Sequence, residues 1–223
     1  MQEEALLMDV IVKQDVVPPY VSYAFLSSAI LIGVALAIRG SLALVPKGLQ
    51  NFVEVLVESL MKLAEENIGH KWGMYFFPLI GTIGLYILVN NFMGLIPGFT
   101  APTSNINCTA SMAIPVFLAT HYYGVKVHGV KYIKHFTGPI IWLAWLMLPI
   151  EVIGHIVRPL TLSVRLFGNM IAKHMILFAL AMIAPIIIPV AILGLGVLVS
   201  LIQAFVFVLL TSLYLAGSVE EAH

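Results

Sequence analysis

No charged side chain occurs between Val190 and Ala216, and none occurs in Val21–Ile38 or Trp72–Leu95. At a rise of about 1.5 Å per residue, each run is long enough to cross a hydrocarbon core of about 30 Å. Lipid offers the backbone no hydrogen-bond partner, so runs of this kind satisfy their own peptide groups as helices. The whole composition agrees: 61% of residues are hydrophobic and 10% charged, with a mean hydropathy of +1.02. A soluble domain carries roughly 25% charged residues. The sequence therefore predicts an all-α polytopic membrane protein, a single membrane domain over 1–223 with no internal repeat. The formal net charge of zero gives no nucleic-acid footprint. Cys108 is the single cysteine, which rules out an internal disulfide and a cysteine-built zinc site. The N-terminus is acidic and lacks the basic region of a cleavable signal peptide.

Taken in order, residues 1–19 form a polar-to-mixed segment closed by Pro18-Pro19, and Val21–Ile38 is the first span. Over 46–70, Phe52, Val55, Leu56, Leu60 and Leu63 recur at helical spacing opposite Glu54, Glu58, Lys62, Glu65 and Glu66. This is an amphipathic helix. It lies on the membrane face or a partner protein, or it packs on the rest of the chain; both readings stand. Trp72–Leu95 is the second span, with Trp72 and Tyr75 as interfacial anchors. The uncharged loop GLIPGFTAPTSN reads as a turn outside the core. Ala110–Tyr123 is a third apolar segment, short unless it begins near Ile106. A loop over Gly124–His135 follows, with Lys126, Lys131 and Lys134. Ile140–Ile183 is one long helical pattern that must tilt or bend, at Pro149 or Pro159. Pro185 and Pro189 form a turn, and Val190–Ala216 is the last helix. The count is about five membrane-embedded helices plus the amphipathic one, the last two long and oblique and forming a hairpin over 140–217. Basic residues place Arg39, Lys47 and the 124–135 loop on the cytoplasmic side with the C-terminus, and the N-terminus outside.

Within the long pattern, EVIGHIVRPLTLSVRLFGNMIAKH carries an unusual number of polar groups. Set out at about 100° per residue, Glu151, His155, Arg158, Arg165, Asn169 and Lys173 fall in a sector roughly 80° wide; His174 falls outside it. An ionisable group at bilayer depth costs at least about 2.5–3.5 kcal/mol, so such a stripe faces protein or water and marks a transport route. The plainer reading, in which Arg158 and Lys173 snorkel to the interfaces and His155 is a packing residue, is weaker for Arg165, which apolar turns flank on both sides. The last helix has a matching face, with Gly196, Ser200, Gln203, Phe207 and Tyr214 within about 40° of one direction. Small residues admit a close neighbour, and Gln203 offers an amide to a guanidinium, so Gln203 and Arg165 are expected to meet near mid-membrane. A guanidinium does not deprotonate in proteins, so Arg165 acts as a fixed charge. No acidic residue of the chain lies at its depth, and the matching anion is expected in trans, on a partner moving in the membrane. Glu151, His155 and His174 are the candidate relay groups.

These residues also carry a resemblance. RPLTLSVRLFGNM, IQAFVFVLLTSLYL and the ending EEAH, with NNFMGLIPG and PTSNINCTASMA, resemble the a subunit of the rotary F-type ATP synthase membrane sector. The resemblance covers nearly everything after Trp72. It implies a static subunit beside a rotating ring of c subunits, with two offset aqueous half-channels that couple a proton gradient to ATP synthesis. Arg165 matches the arginine that faces the ring carboxylate, and Gln203 the glutamine beside it. Asn169 and His174 match positions linked to the extracytoplasmic half-channel, and Glu151 one linked to the cytoplasmic half-channel. The implied partners are the c-ring, b-type stator subunits and the soluble ATPase head, in a bacterial inner membrane. Gly196 stands where some members have a titratable residue, and His174 where many have a glutamate. No GxxxxGK[ST] motif is present, so no nucleotide site, cofactor or metal is expected, and the chain is no enzyme on its own. The competing reading is an independent secondary transporter that uses Arg165 to bind an anionic substrate, although such carriers often show an internal repeat.

Overall fold

The computed structural model of the chain describes residues 18–40, 42–96, 99–129, 132, 144–181 and 187–219. Helix α1 spans Pro19–Gly40. Proline suits its first position, where the missing N–H would have had no intrahelical partner. Helix α2 (Leu49–Ile68) and helix α3 (His70–Met93) are separated by Gly69 alone, at φ 87°. Only glycine enters that region without steric cost, which is what turns the chain so sharply. Asn105 starts helix α4 (Ile106–His128) by accepting, through its side chain, a hydrogen bond of 2.9 Å from the Asn107 N–H. Helix α5 (Ala144–Ala181) has 38 residues, about 57 Å of rise, and continues through Pro149 and Pro159 as one element. Helix α6 is Ile187–Val219.

Helix α6 is the hub, in contact with α2, α3, α4 and α5. Phe207 and Ala204 pack with Ile87 of α3, Met112 and Val116 of α4, and Leu162 and Leu166 of α5. On its other flank Val208, Leu215 and Val219 meet Phe76 and Ile80 of α3 and Ala64 of α2. Gly84 makes the α3–α6 approach possible: a Cβ there would stand 2.5 Å from Val208 Cγ2. The α5–α6 contact expected of a hairpin is present, though each helix packs more extensively on others.

The molecule is an all-α polytopic membrane protein: α1, α3, α5 and α6 are long and apolar enough to cross a bilayer. Helix α4 has the length but not the apolarity, because asparagine, threonine and histidine side chains dilute it. Three sequence readings are corrected. Helix α4 begins at Ile106 and runs to His128, so Gly124–His128 is helix rather than loop. The supposed outer turn folds inward: Ala101, Pro102 and Thr103 are buried, and the Thr103 hydroxyl donates to Asn91 Oδ1 at 3.0 Å. Pro189 lies in the first turn of α6, where its missing N–H costs nothing. Helix α2 packs on the chain through Leu60, Leu63 and Ala64. Phe52 and Val55 stay exposed. Residues 1–17, Lys131, Lys134, His135 and Pro185 lie outside the described residues.

Candidate functional site

The polar stripe of α5 lies along the boundary between its packed and open faces. Leu162, Leu166 and Met170 bury one flank, while Thr161, Arg165 and Ala172 face outward. Arg165 is exposed, and among the described residues no hydrogen bond or ion pair reaches its guanidinium. Glu151 lies fourteen residues back, about 20 Å along the axis.

One turn beyond Arg165, Asn169 Nδ2 donates to Gln203 Oε1 at 2.7 Å. The expected meeting of Gln203 with Arg165 is therefore replaced by a bond to the next polar residue of the same stripe. The physical reason is burial. Gln203 is 4% exposed on the packed side of α6, and a buried amide needs the partner that shares its interior position. Arg165, one turn back on the same stripe, is exposed instead. Ser200, one turn before Gln203, is buried, and its hydroxyl has no partner among the described residues.

Further toward the end of α5, the Lys173 stem covers Gly196. A Cβ on Gly196 would lie 3.3 Å from Lys173 Cδ and 2.6 Å from Leu95 Cδ2. Lys173 Nζ is buried, with no hydrogen-bond partner among the described residues, so this lysine does not snorkel outward. His174 Nε2 is 3.4 Å from the Gly94 carbonyl oxygen.

Toward the start of α5, His155 Nε2 stands 3.3 Å from Glu151 Oε1, and His155 is 7% exposed. The Arg158 guanidinium lies over the Tyr214 ring of α6, 5.4 Å from its centroid. The arrangement is thus two polar groups with Arg165 between them. Glu151, His155 and Arg158 lie to one side; Asn169, Gln203, Ser200, Lys173 and His174 lie to the other. Titratable groups on both sides of a permanent cation can exchange protons, but the guanidinium cannot pass one along itself.

Residues 21–216 match the family model described as ATP synthase A chain. The chain belongs to the ATP synthase A chain family. ATP synthase subunit a 3 of Pelobacter propionicus is 51% identical over 203 residues, which cover 91% of this chain and 88% of that one. ATP synthase subunit a of Geobacter sulfurreducens is 50% identical over 203 residues, with the same coverage of 91% and 88%. ATP synthase subunit a 2 of Syntrophotalea carbinolica is 48% identical over 204 residues, covering 92% of this chain and 87% of that protein. As a member of the ATP synthase A chain family, the chain is a membrane component and not the catalytic part of the complex.

Sequence reasoning missed His121. Its ring in α4 lies 5.1 Å from that of His155, centroid to centroid. The same rule that singles out Arg165, an ionisable side chain within an apolar segment, applies to His121 inside Ala110–Tyr123. It also missed the Asn91–Thr103 pair, for which a charge-free loop sequence holds no signal.

Proposed function

We propose that this chain is the proton-translocating a subunit of a rotary ATP synthase, and that Arg165 is its fixed charge facing the carboxylate of a rotating c-ring. The observation that carries the reading is the exposed Arg165 guanidinium, which no hydrogen bond or ion pair reaches among the described residues, on a helix where Asn169 is bonded to Gln203 and His155 to Glu151. A charge kept at that depth without an internal partner has its partner elsewhere. A cation at contact distance favours the ionised form of a carboxylate, so a ring carboxylate arriving at Arg165 releases its proton. Asn169, Gln203, Ser200 and His174 serve the half-channel on the outer side, and Glu151 with His155 serves the one toward the cytoplasm. Residues 140–217 form the translocating hairpin of a single domain, 1–223. The partners are the c-ring, b-type stator subunits and the soluble ATPase head, in the inner membrane of a bacterium. The N-terminus is outside and the C-terminus in the cytoplasm.

The test is ATP synthesis by membrane vesicles under an imposed ion gradient, normalised to assembled complex. Arg165→Ala removes the counter-charge, and coupled synthesis is lost. Arg165→Lys keeps a charge but substitutes a group that can exchange its proton and lacks the planar fork; synthesis is lost here too, with normal assembly. Near-normal synthesis by Arg165→Ala overturns the mechanism. Near-normal synthesis by Arg165→Lys alone shows that positive charge suffices.

A further inference from the structure

His121 belongs to none of the residues assigned above, yet its surroundings are those of a proton carrier. Its Nδ1 lies 3.0 Å from the Phe117 carbonyl oxygen, one turn back in α4. A carbonyl only accepts, so Nδ1 carries the hydrogen, and in the neutral ring Nε2 keeps its lone pair. The His155 ring stands 5.1 Å away, nearly perpendicular at 72°. His155 in turn is held by Glu151 at 3.3 Å. Three titratable side chains from two helices therefore follow one another without an apolar residue between them. A small cleft with room for about one water runs alongside, lined by Thr120, His121, His155, Arg158 and Tyr214 and otherwise by apolar side chains.

We propose that His121 is a further proton-carrying residue of this protein, exchanging protons with the Glu151–His155 pair through the cleft between α4, α5 and α6. The inference rests on the proposed function for the direction of flow, since it puts the start of α5 toward the cytoplasm. The step is a proton transfer alone. A proton arriving at Nε2 converts the neutral ring to an imidazolium, and its departure from the same atom, to His155 or to water in the cleft, restores it. The other groups that face the pair are accounted for. From α5 come Glu151, which compensates one positive charge, and Arg158, which stays a permanent cation engaged with Tyr214 of α6. Tyr132, which follows α4, has its ring 6.3 Å from that of His121. Burial pushes the Tyr132 phenol up from its ordinary value, so it remains neutral and does not compete as a carrier.

The experiment uses the whole complex in vesicles that expose the cytoplasmic face, with synthesis driven by a potassium diffusion potential. Every rate is taken per assembled complex and relative to the parent in the same buffer. His121→Ala is expected to run roughly tenfold slower, only part of what a positioned acid–base group contributes, because cleft water substitutes for some of it. Imidazole added at the cytoplasmic face restores a large share of the rate, whereas pyrazole, of the same size but far weaker as a base, does not. His121→Gln can still donate to the Phe117 carbonyl but cannot carry a proton, and it stays slow; it decides the matter should the alanine variant fail to assemble. Parent-like synthesis by His121→Gln, or equal restoration by pyrazole and imidazole, overturns the proposal and leaves His121 as a packing residue. That failure is distinct from failure of the proposed function, which only the Arg165 variants report.

Discussion

The hydrogen bond between Asn169 and Gln203 shows how a polar pair can also position the helices that carry it. Their bond of 2.7 Å ties α5 to α6 one turn from Arg165, so the rotation of α5 that turns Arg165 outward is held by a side-chain amide. Within membranes such bonds contribute less than intuition suggests, about 0.6 kcal/mol on average and up to about 1.7 kcal/mol, because the separated helices find other partners. A double-mutant cycle of Asn169→Leu and Gln203→Leu should give a coupling energy in that range, read from thermal denaturation of the solubilised complex. Strict additivity would show that the amide pair does not link the helices. Lys173 and Gly196 are a second pair of this kind. The lysine stem occupies space that a side chain at 196 would take. Leu95 stands closer still, its Cδ2 2.6 Å from where a Cβ at 196 would lie.

At the scale of helices, the decisive contact is α6 against α3 and α2, and Gly84 sets how near α6 can lie. A Cβ at 84 would sit 2.5 Å from Val208 Cγ2, too close for either atom. Gly84→Val should cost about 1–3 kcal/mol by overpacking. The expected result is a lower heat-inactivation midpoint of the complex, largely recovered when Val208→Ala is added. If the second substitution restores nothing, the close approach lies elsewhere. The amphipathic helix α2 belongs to the same contact. Its apolar stripe is wider than the surface it covers: Ala64 is fully buried against α3 and α6. Phe52 is 63% exposed, although it belongs to the same apolar stripe.

At the scale of the whole molecule, the proposed topology makes a prediction in which burial matters as much as sidedness. Cys108 is packed in the core and 7% exposed. The native thiol should therefore react slowly from either side, even though the loop before it is proposed to face outward. In a Cys108→Ala background, Asn107→Cys, at an exposed position, should react with an impermeant thiol reagent outside intact cells. Lys126→Cys should react only in inverted vesicles. The reverse pattern would invert the orientation drawn from basic residues.

The distinction between what the chain states and what folding decides follows from the range of each force. Long apolar runs, the helical phase of Glu151, His155, Arg165 and Asn169, and the matching face of Gly196, Ser200, Gln203 and Phe207 are properties of one helix at a time. Residue spacing alone predicts them, and α1, α3, α5, α6 and the inward face of the last helix are observed as expected. The motifs around Arg165 and Gln203 likewise identified the family by themselves. The facts that needed three dimensions all concern register between helices. These are Gln203 bonding Asn169 instead of Arg165, α2 lying on α3 and α6, Thr103 folding back onto Asn91, and His121 standing beside His155. Helical periodicity specifies the direction in which a side chain points. It does not specify what stands opposite, because that depends on close contacts between residues far apart in the chain, such as Gly84 with Val208. Such contacts act over a few ångströms and exist only once the helices have packed.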